Sequence, residues 1–321
     1  MSSQPVPGPV GRPRGRRLHT IFKRGGWQGL LFIAPAVILL GALVAYPLVW
    51  TIMYSFGDTN SKLDIVSWVG FDNYERLFTR DRVFLDRDDF PPEGALVNNI
   101  KWALLYTTIS LSLGLLIAVL AVRVRYESII KAIVFVPMAI AATAVAIIWK
   151  FVYEPDPDIG VANAIVTNIF NVDPIVFLGR ADTVNYAIIF AYVWASTGFA
   201  MVVLSAALKG IPEDIIEAAK TDGANDWAIF RRIQFPLLSL PMAVVTVWLT
   251  INVIKLFDVI YVLTDGGPGN SSEVIATQMF DELFANGEGG YAAAIAVVML
   301  ILVLPLMIWN ISRFRSERVV T

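Results

Sequence analysis

The chain has 321 residues, 56% hydrophobic and 16% charged, with a formal net charge of −2. Soluble domains carry about a quarter charged residues, so this composition excludes an ordinary soluble fold, and the near-neutral balance gives a nucleic-acid partner no footing. The absence of cysteine excludes disulfides, thiolate metal sites and iron–sulfur clusters, and the single histidine, His19, excludes a Ser–His–Asp set within the apolar body.

In chain order, residues 1–26 are rich in Pro, Gly and Arg (PVPGPVGRPRGRR, then FKRGG). They have little to bury, which predicts a disordered basic tail. The apolar run from Trp27 to about Tyr54 is too long for a cleaved signal and is expected to be an uncleaved first transmembrane helix. Six such runs follow the same pattern: roughly 28–54, 98–122, 130–152, 185–208, 236–262 and 289–312. Each can cross a hydrocarbon core of about 30 Å, where only internally hydrogen-bonded backbone survives, so helices are expected. The predicted fold class is an all-α integral membrane protein of six helices. One membrane domain spans 27–313 and a short tail covers 314–321. Pro35, Pro47, Pro137, Pro241 and Pro305 should kink their helices.

The loops set the orientation. Arg12, Arg14, Arg16, Arg17, Lys23 and Arg24 precede the first span; Arg123, Arg125 and Lys131 follow the second; Lys209, Lys220, Arg231 and Arg232 follow the fourth. The positive-inside rule then puts both termini in the cytoplasm. Outside lie the polar loop 55–97, the loop 153–184 and the loop 263–288, which has no Lys or Arg. Trp27, Trp50, Trp102, Trp149 and Trp309 fall near the expected interfaces, as in an aromatic belt.

A catalytic set is missing. GGPGNSS (266–272) lacks the Lys of a phosphate loop and reads as a Gly/Pro turn. The inner loop 209–235, between spans four and five, is different. Pro212 suits the start of a helix, Glu213 and Asp214 complement its positive end, and Gly223 suits the left-handed residue that stops it. Asn225 can cap a second short helix carrying Trp227, Phe230 and Ile233. A helix resting on lipid favours basic residues, yet this one carries Glu213, Asp214, Glu217, Asp222 and Asp226 against Lys220. Ala218 and Ala219 allow close approach, and Glu217 and Asp222 offer acceptors, so a docked protein is expected.

Ionisable residues inside a span are functional candidates. Lys255 and Asp258, one turn apart in the fifth span, either pair with each other or line a polar path with Asn252. Tyr192, Trp194, Ser196 and Thr197 in the fourth span and Trp248 in the fifth could add aromatic faces and hydroxyls to that path. Thr107, Thr108, Ser110 and Ser112 of the second span are expected to pack between helices.

Glu217-Ala218-Ala219, Gly223, Ile233 and Pro236 resemble the EAA motif of bacterial ABC importer permeases, with Phe235 where the family more often has Leu. VGFDNYERLF (69–78) resembles the first outer-loop signature of the sugar-permease branch, and FDVIYVLTDGGPGNSSEVIATQMF (257–280) resembles its exit from span five. VRYESIIKAIVFVPMAIAATAVAIIWKFVY (124–153) is most similar to α-glucoside permeases. The resemblance implies a type I importer permease of the bacterial inner membrane. It implies a second, similar permease as heterodimer partner, two cytoplasmic ATPase subunits that hold ATP and Mg while this chain binds no cofactor, and an extracytoplasmic sugar-binding protein. It makes Glu217, Ala218, Ala219, Asp222, Gly223 and Ala224 the ATPase-docking set. The competing expectation is a stand-alone ion-coupled secondary transporter, which would need no docking loop.

Overall fold

The computed structural model describes residues 26–317 except positions 61 and 89; the predicted N-terminal tail and the last four residues lie outside them. Two compact units divide the described residues, one ending at Trp50 and the other beginning at Thr51.

From the first, α1 (Gly26–Leu40) runs through a π turn (Gly41–Ala45) into α2 (Tyr46–Tyr54), whose last four residues belong to the second. The Tyr46 N–H reaches back to the Gly41 carbonyl, one residue further than in an α-helix. This widened turn comes just before Pro47, whose ring removes a donor. Leu31–Tyr54 is a continuous stretch of 24 residues with mean hydropathy 2.3, long enough to span a bilayer.

The second unit begins with a hairpin. Strands β1 (Gly57–Thr59) and β2 (Ile65–Trp68) pair antiparallel, Gly57 with Trp68 and Asp58 with Ser67, before a bulge brings Thr59 opposite Ile65. Helix α3 (Asp72–Thr79) lies within VGFDNYERLF and shows what that stretch does locally. Asn73 donates its amide to the carbonyls of Ser55 and Gly57, both at 3.0 Å, and the Tyr74 hydroxyl lies 2.6 Å from Ser55 Oγ. Arg76 pairs with Glu288 and sits 4.0 Å above the Tyr291 ring, while Leu77 is fully buried with Phe84 and Ile275.

Helix α4 (Ala95–Ala121) buries Asn98, Asn99, Trp102, Tyr106, Thr107, Ser110, Gly114, Ala118 and Ala121, a stripe at three- and four-residue steps. It packs on α8 (Val184–Lys209). A Cβ on Gly114 would lie 2.5 Å from that of Ala200, so the two helices cross where side chains are smallest. Of the four hydroxyl residues expected in this seam, Thr107 and Ser110 are buried, whereas Thr108 and Ser112 face outward.

The third and fifth predicted spans are not single helices. In the third, α5 (Glu127–Phe135) continues through a 3₁₀ turn (Val136–Ala139) containing Pro137, and α6 (Ala142–Val152) then leaves at 100°. Beyond it, α7 (Val161–Asn168) lies in the connection to α8. After α8 come α9 (Glu213–Thr221), α10 (Asp226–Ile229), a π turn (Phe230–Gln234) and α11 (Phe235–Leu237). Helix α12 (Ser239–Ile254) bends away by 64° and stops well short of residue 262; α13 (Asp258–Leu263) is separate. The connection 263–288, expected as a loop, holds a further helix, α14 (Ile275–Phe284), before α15 (Gly289–Glu317) closes the fold. Among the described residues three helices are long and apolar enough to cross a membrane, five if each bent pair is one span.

The aromatic belt needs correcting at two positions. Trp102 is wholly buried, its ring against Tyr106 and Tyr192, and Trp149 is enclosed by Tyr153, Phe190 and Trp194. Both are core residues, because their helices face other helices there.

Candidate functional site

Two features stand out: an exposed helical loop after α8 and a polar cleft where α12 breaks. The loop follows the local rules of its sequence. Pro212 is extended and takes the N-cap position, one residue before the helix rather than its first residue. At the other end Gly223 has φ +83°, its N–H donates to the Lys220 carbonyl and the Ala224 N–H to the Ala219 carbonyl. This is a Schellman motif, and a Cβ on Gly223 would meet no atom within 4 Å, so glycine is there for its backbone alone. Asn225 then accepts from the Ala228 N–H at 2.8 Å and starts α10. Helix α9 buries no residue. Glu217, Ala218, Asp222 and Gly223 are exposed and Ala219 and Ala224 half-exposed, so all six docking candidates are open to solvent. Asp226 is not available in the same way: Arg123 binds it at 2.8 Å.

The cleft, of about 210 Å³, is lined by Ala142, Tyr192, Asn252, Lys255, Leu256, Phe257, Asp258 and Val259. Four of the six path candidates therefore share one wall. Trp194 and Thr197 do not join them. Trp194 packs on Trp149, and the buried Thr197 hydroxyl donates to the Val193 carbonyl at 2.7 Å. Ser196 likewise bonds back to the Tyr192 carbonyl, and Trp248 stacks on Phe199 with centroids 4.0 Å apart. Lys255 and Asp258 are not one turn apart on one helix: Lys255 ends α12 and Asp258 opens α13, with Phe257 between them at φ −135°, ψ −65°. They form no ion pair with each other, and both are exposed to the cleft side. The break strands carbonyls at the end of α12. Asn99 Nδ2 donates to one, that of Val253, at 3.0 Å. Asn252 Nδ2 folds back onto the Trp248 carbonyl at 2.8 Å, which leaves its side-chain oxygen as an open acceptor on the cleft. The Tyr192 ring lies on Tyr106, centroids 5.0 Å apart, and supplies the aromatic wall.

The break is braced by a polar knot that sequence reasoning missed. Asn98 Nδ2 donates to the carbonyls of Ser271 and Glu273, at 2.9 and 2.8 Å. Asn185 Nδ2 donates to the Ser271 carbonyl at 2.6 Å, and its oxygen accepts from Trp102 Nε1. Asn99 Oδ1 accepts from the Ile275 N–H. GGPGNSS is thus a turn, as expected, held by α4 and α8. Glu273, buried in this turn, accepts from the Thr277 hydroxyl at 2.5 Å. Burial pushes its carboxyl up to about 7, and the nearby Asp281 and Asp265 push the same way. The only signal for the knot was three Asn residues at the starts of apolar spans.

Residues 110–312 match the family described as the binding-protein-dependent transport system inner membrane component. The osmoprotective compounds uptake permease protein GgtC of Synechocystis sp. is 42% identical over 291 residues, 89% of this chain and 99% of that protein. The alpha-glucoside transport system permease protein AglF of Rhizobium meliloti is 38% identical over 98% of this chain and 89% of its own length. In fold, the chain resembles a subunit of a bacterial ABC transporter that imports the acidic polysaccharide alginate, with TM-score 0.74 and 22% identity over 95% of this chain and all of the other.

Proposed function

The chain belongs to the family of binding-protein-dependent transport system inner membrane components, and from that premise we propose that it is one permease subunit of an importer for an α-glucoside or a related polyhydroxylated solute. A component of such a system works with partners, which sets aside the stand-alone ion-coupled transporter. The partners are a second, similar permease, two ATPase subunits that hold ATP and Mg, and an external sugar-binding protein. In this reading α1 with α2, α4, α5 with α6, α8, α12 with α13, and α15 form six spans. Both termini and α9 lie in the cytoplasm, and the hairpin and the 266–274 turn lie outside.

The observation that carries the reading is α9 itself. A helix with no buried residue, an alanine face and free carboxylates gains nothing where it stands. It gains by seating in another protein. Glu217 makes the polar contact, Ala218 and Ala219 permit close approach, and Asp222, Gly223 and Ala224 form the turn. Tyr192, Asn252, Lys255 and Asp258 offer the passing sugar an aromatic face, donors and acceptors. The α-glucoside class rests on the similarity to AglF, and GgtC widens it to osmoprotective solutes.

The test is co-purification of the tagged chain from membranes, with and without Glu217→Lys. The wild type is expected to bring down an ATPase and a second permease, and the variant to lose about tenfold of the ATPase while still inserting, as for an interface anchor worth about 1.4 kcal/mol or more. A chain that emerges alone, unaffected by the variant, sinks the proposal.

A further inference from the structure

We propose that the connection between α4 and α5 is a two-point clamp on the base of α9, with Glu127 as its main positioning residue; this rests on α9 being the ATPase-docking helix. Along its length α9 buries no residue and only half-covers Ile216 and Ala219. Its two flanks are tied instead, and to the same short segment. Lys209, the last residue of α8, lies 2.8 Å from Glu127 Oε2. Asp226, the first residue of α10, lies 2.8 Å from Arg123. The polarities are opposite, acid to base on one flank and base to acid on the other, so the two ends of the loop cannot exchange places without two like-charge meetings.

Glu127 is the unusual member. Between Val122 and Lys131 it is the single acid among Arg123, Arg125 and Lys131, where the positive-inside rule favours bases. Its second oxygen is taken by Lys131, one turn along α5. Its side chain is 17% exposed, against 53% for Lys209, so this flank is screened less by salt than the Arg123–Asp226 pair. From Glu127, α5 leads through the 3₁₀ turn to Ala142 on the cleft wall. The clamp thus joins the base of α9 to the segment that walls the cleft. An ATPase that moves α9 then pulls on α5 as well as on α8.

The experiment uses the assembled complex in proteoliposomes, with the binding protein loaded in turn with maltose, trehalose and sucrose. Glu127→Gln keeps the shape and removes the charge. It is expected to leave complex assembly and basal ATP hydrolysis unchanged, and to lower the maximal stimulation by loaded binding protein about fivefold, at the low end of measured couplings. The half-saturating concentration of binding protein should not move, because the docking surfaces are intact. Glu127→Lys should be worse, and Glu127→Lys combined with Lys209→Glu should recover most of the stimulation, which a purely structural role for Glu127 would not give. Unchanged stimulation in Glu127→Gln, or no recovery in the charge exchange, overturns the clamp while the permease reading stands. A wild-type complex whose hydrolysis ignores all three loaded forms overturns the coupling role of α9, and the clamp with it.

Discussion

The two ends of α4 hold the protein together in opposite ways. At the Arg123 end, the α9 loop is exposed and built from caps, a left-handed glycine and two surface ion pairs. At the Asn98 end, the 266–274 turn is bound into the helices by buried amides that join residues 86 to 176 positions apart. One end is cheap to move and the other is expensive, because a buried carbonyl that loses its donor recovers nothing from water. That asymmetry suits the proposed drive from one side: the proposed docking loop is exposed, and the wall around the cleft is braced by Asn99 on the Val253 carbonyl.

The sharpest way to break this contrast is at the knot. Asn98→Leu fills the same space and orphans the Glu273 carbonyl as well as weakening the hold on Ser271. The expected loss is roughly 3 kcal/mol, about 1–3 kcal/mol from the orphaned Glu273 carbonyl and about 1 kcal/mol from the bond lost at Ser271, which keeps Asn185. In detergent the apparent Tm should fall by several degrees, while ATPase co-purification at low temperature stays intact. A normal Tm would show that the turn is not part of the cooperative core.

Glu273 gives the next largest effect and a direction. Its carboxyl rises from an ordinary 4.5 to about 7 in the folded protein. Between those values the unfolded chain is ionised and the folded one is not, so unfolding releases a proton and stability falls as pH rises. The fall is complete above about 7 and amounts to about 3 kcal/mol. Glu273→Gln, which keeps an acceptor for Thr277, should therefore flatten the Tm against pH between about 4.5 and 7. A wild-type Tm that rises through that window would contradict the burial of this acid. Gly266 closes the site, since a Cβ there would lie 1.8 Å from the Glu273 carboxylate.

The same contrast explains what could be read from the sequence. The α9 loop was legible down to the roles of Gly223 and Asn225, because each is decided by neighbours within five residues. The single long helices α4 and α8 were legible because length and apolarity decide them. The break between Lys255 and Asp258 was not: INVIKLFD has no Gly or Pro to stop a helix, and the reason to stop there is supplied by Asn99, more than 150 residues away. Trp102 and Trp149 were misplaced for a similar cause. A tryptophan near a span end suits a lipid interface, and only the packing of α4, α6 and α8 reveals that these rings face protein. In the cleft, Tyr192, Asn252, Lys255 and Asp258 were found as a set by being polar or aromatic in apolar runs, whereas Thr197 carried the same signal and merely satisfies its own helix.

The smallest effect probes the free end. Gly223 is left-handed with open space around it, so Gly223→Ala costs only the backbone strain of an L-residue at positive φ, about 1 kcal/mol. If α9 is thermodynamically separate from the core, that cost appears only locally. The global Tm should not change, while hydrogen-exchange protection of the α9 amides falls about fivefold, the ratio that 1 kcal/mol sets. A matching loss of protection along α4 and α8 would mean that the loop and the helices unfold as one. The push from an ATPase would then have to disturb the whole seam at Gly114 rather than a hinged arm. Protection lost in α9 alone would leave the free end as mechanically distinct as its exposure implies, held at its base by Lys209 and Asp226.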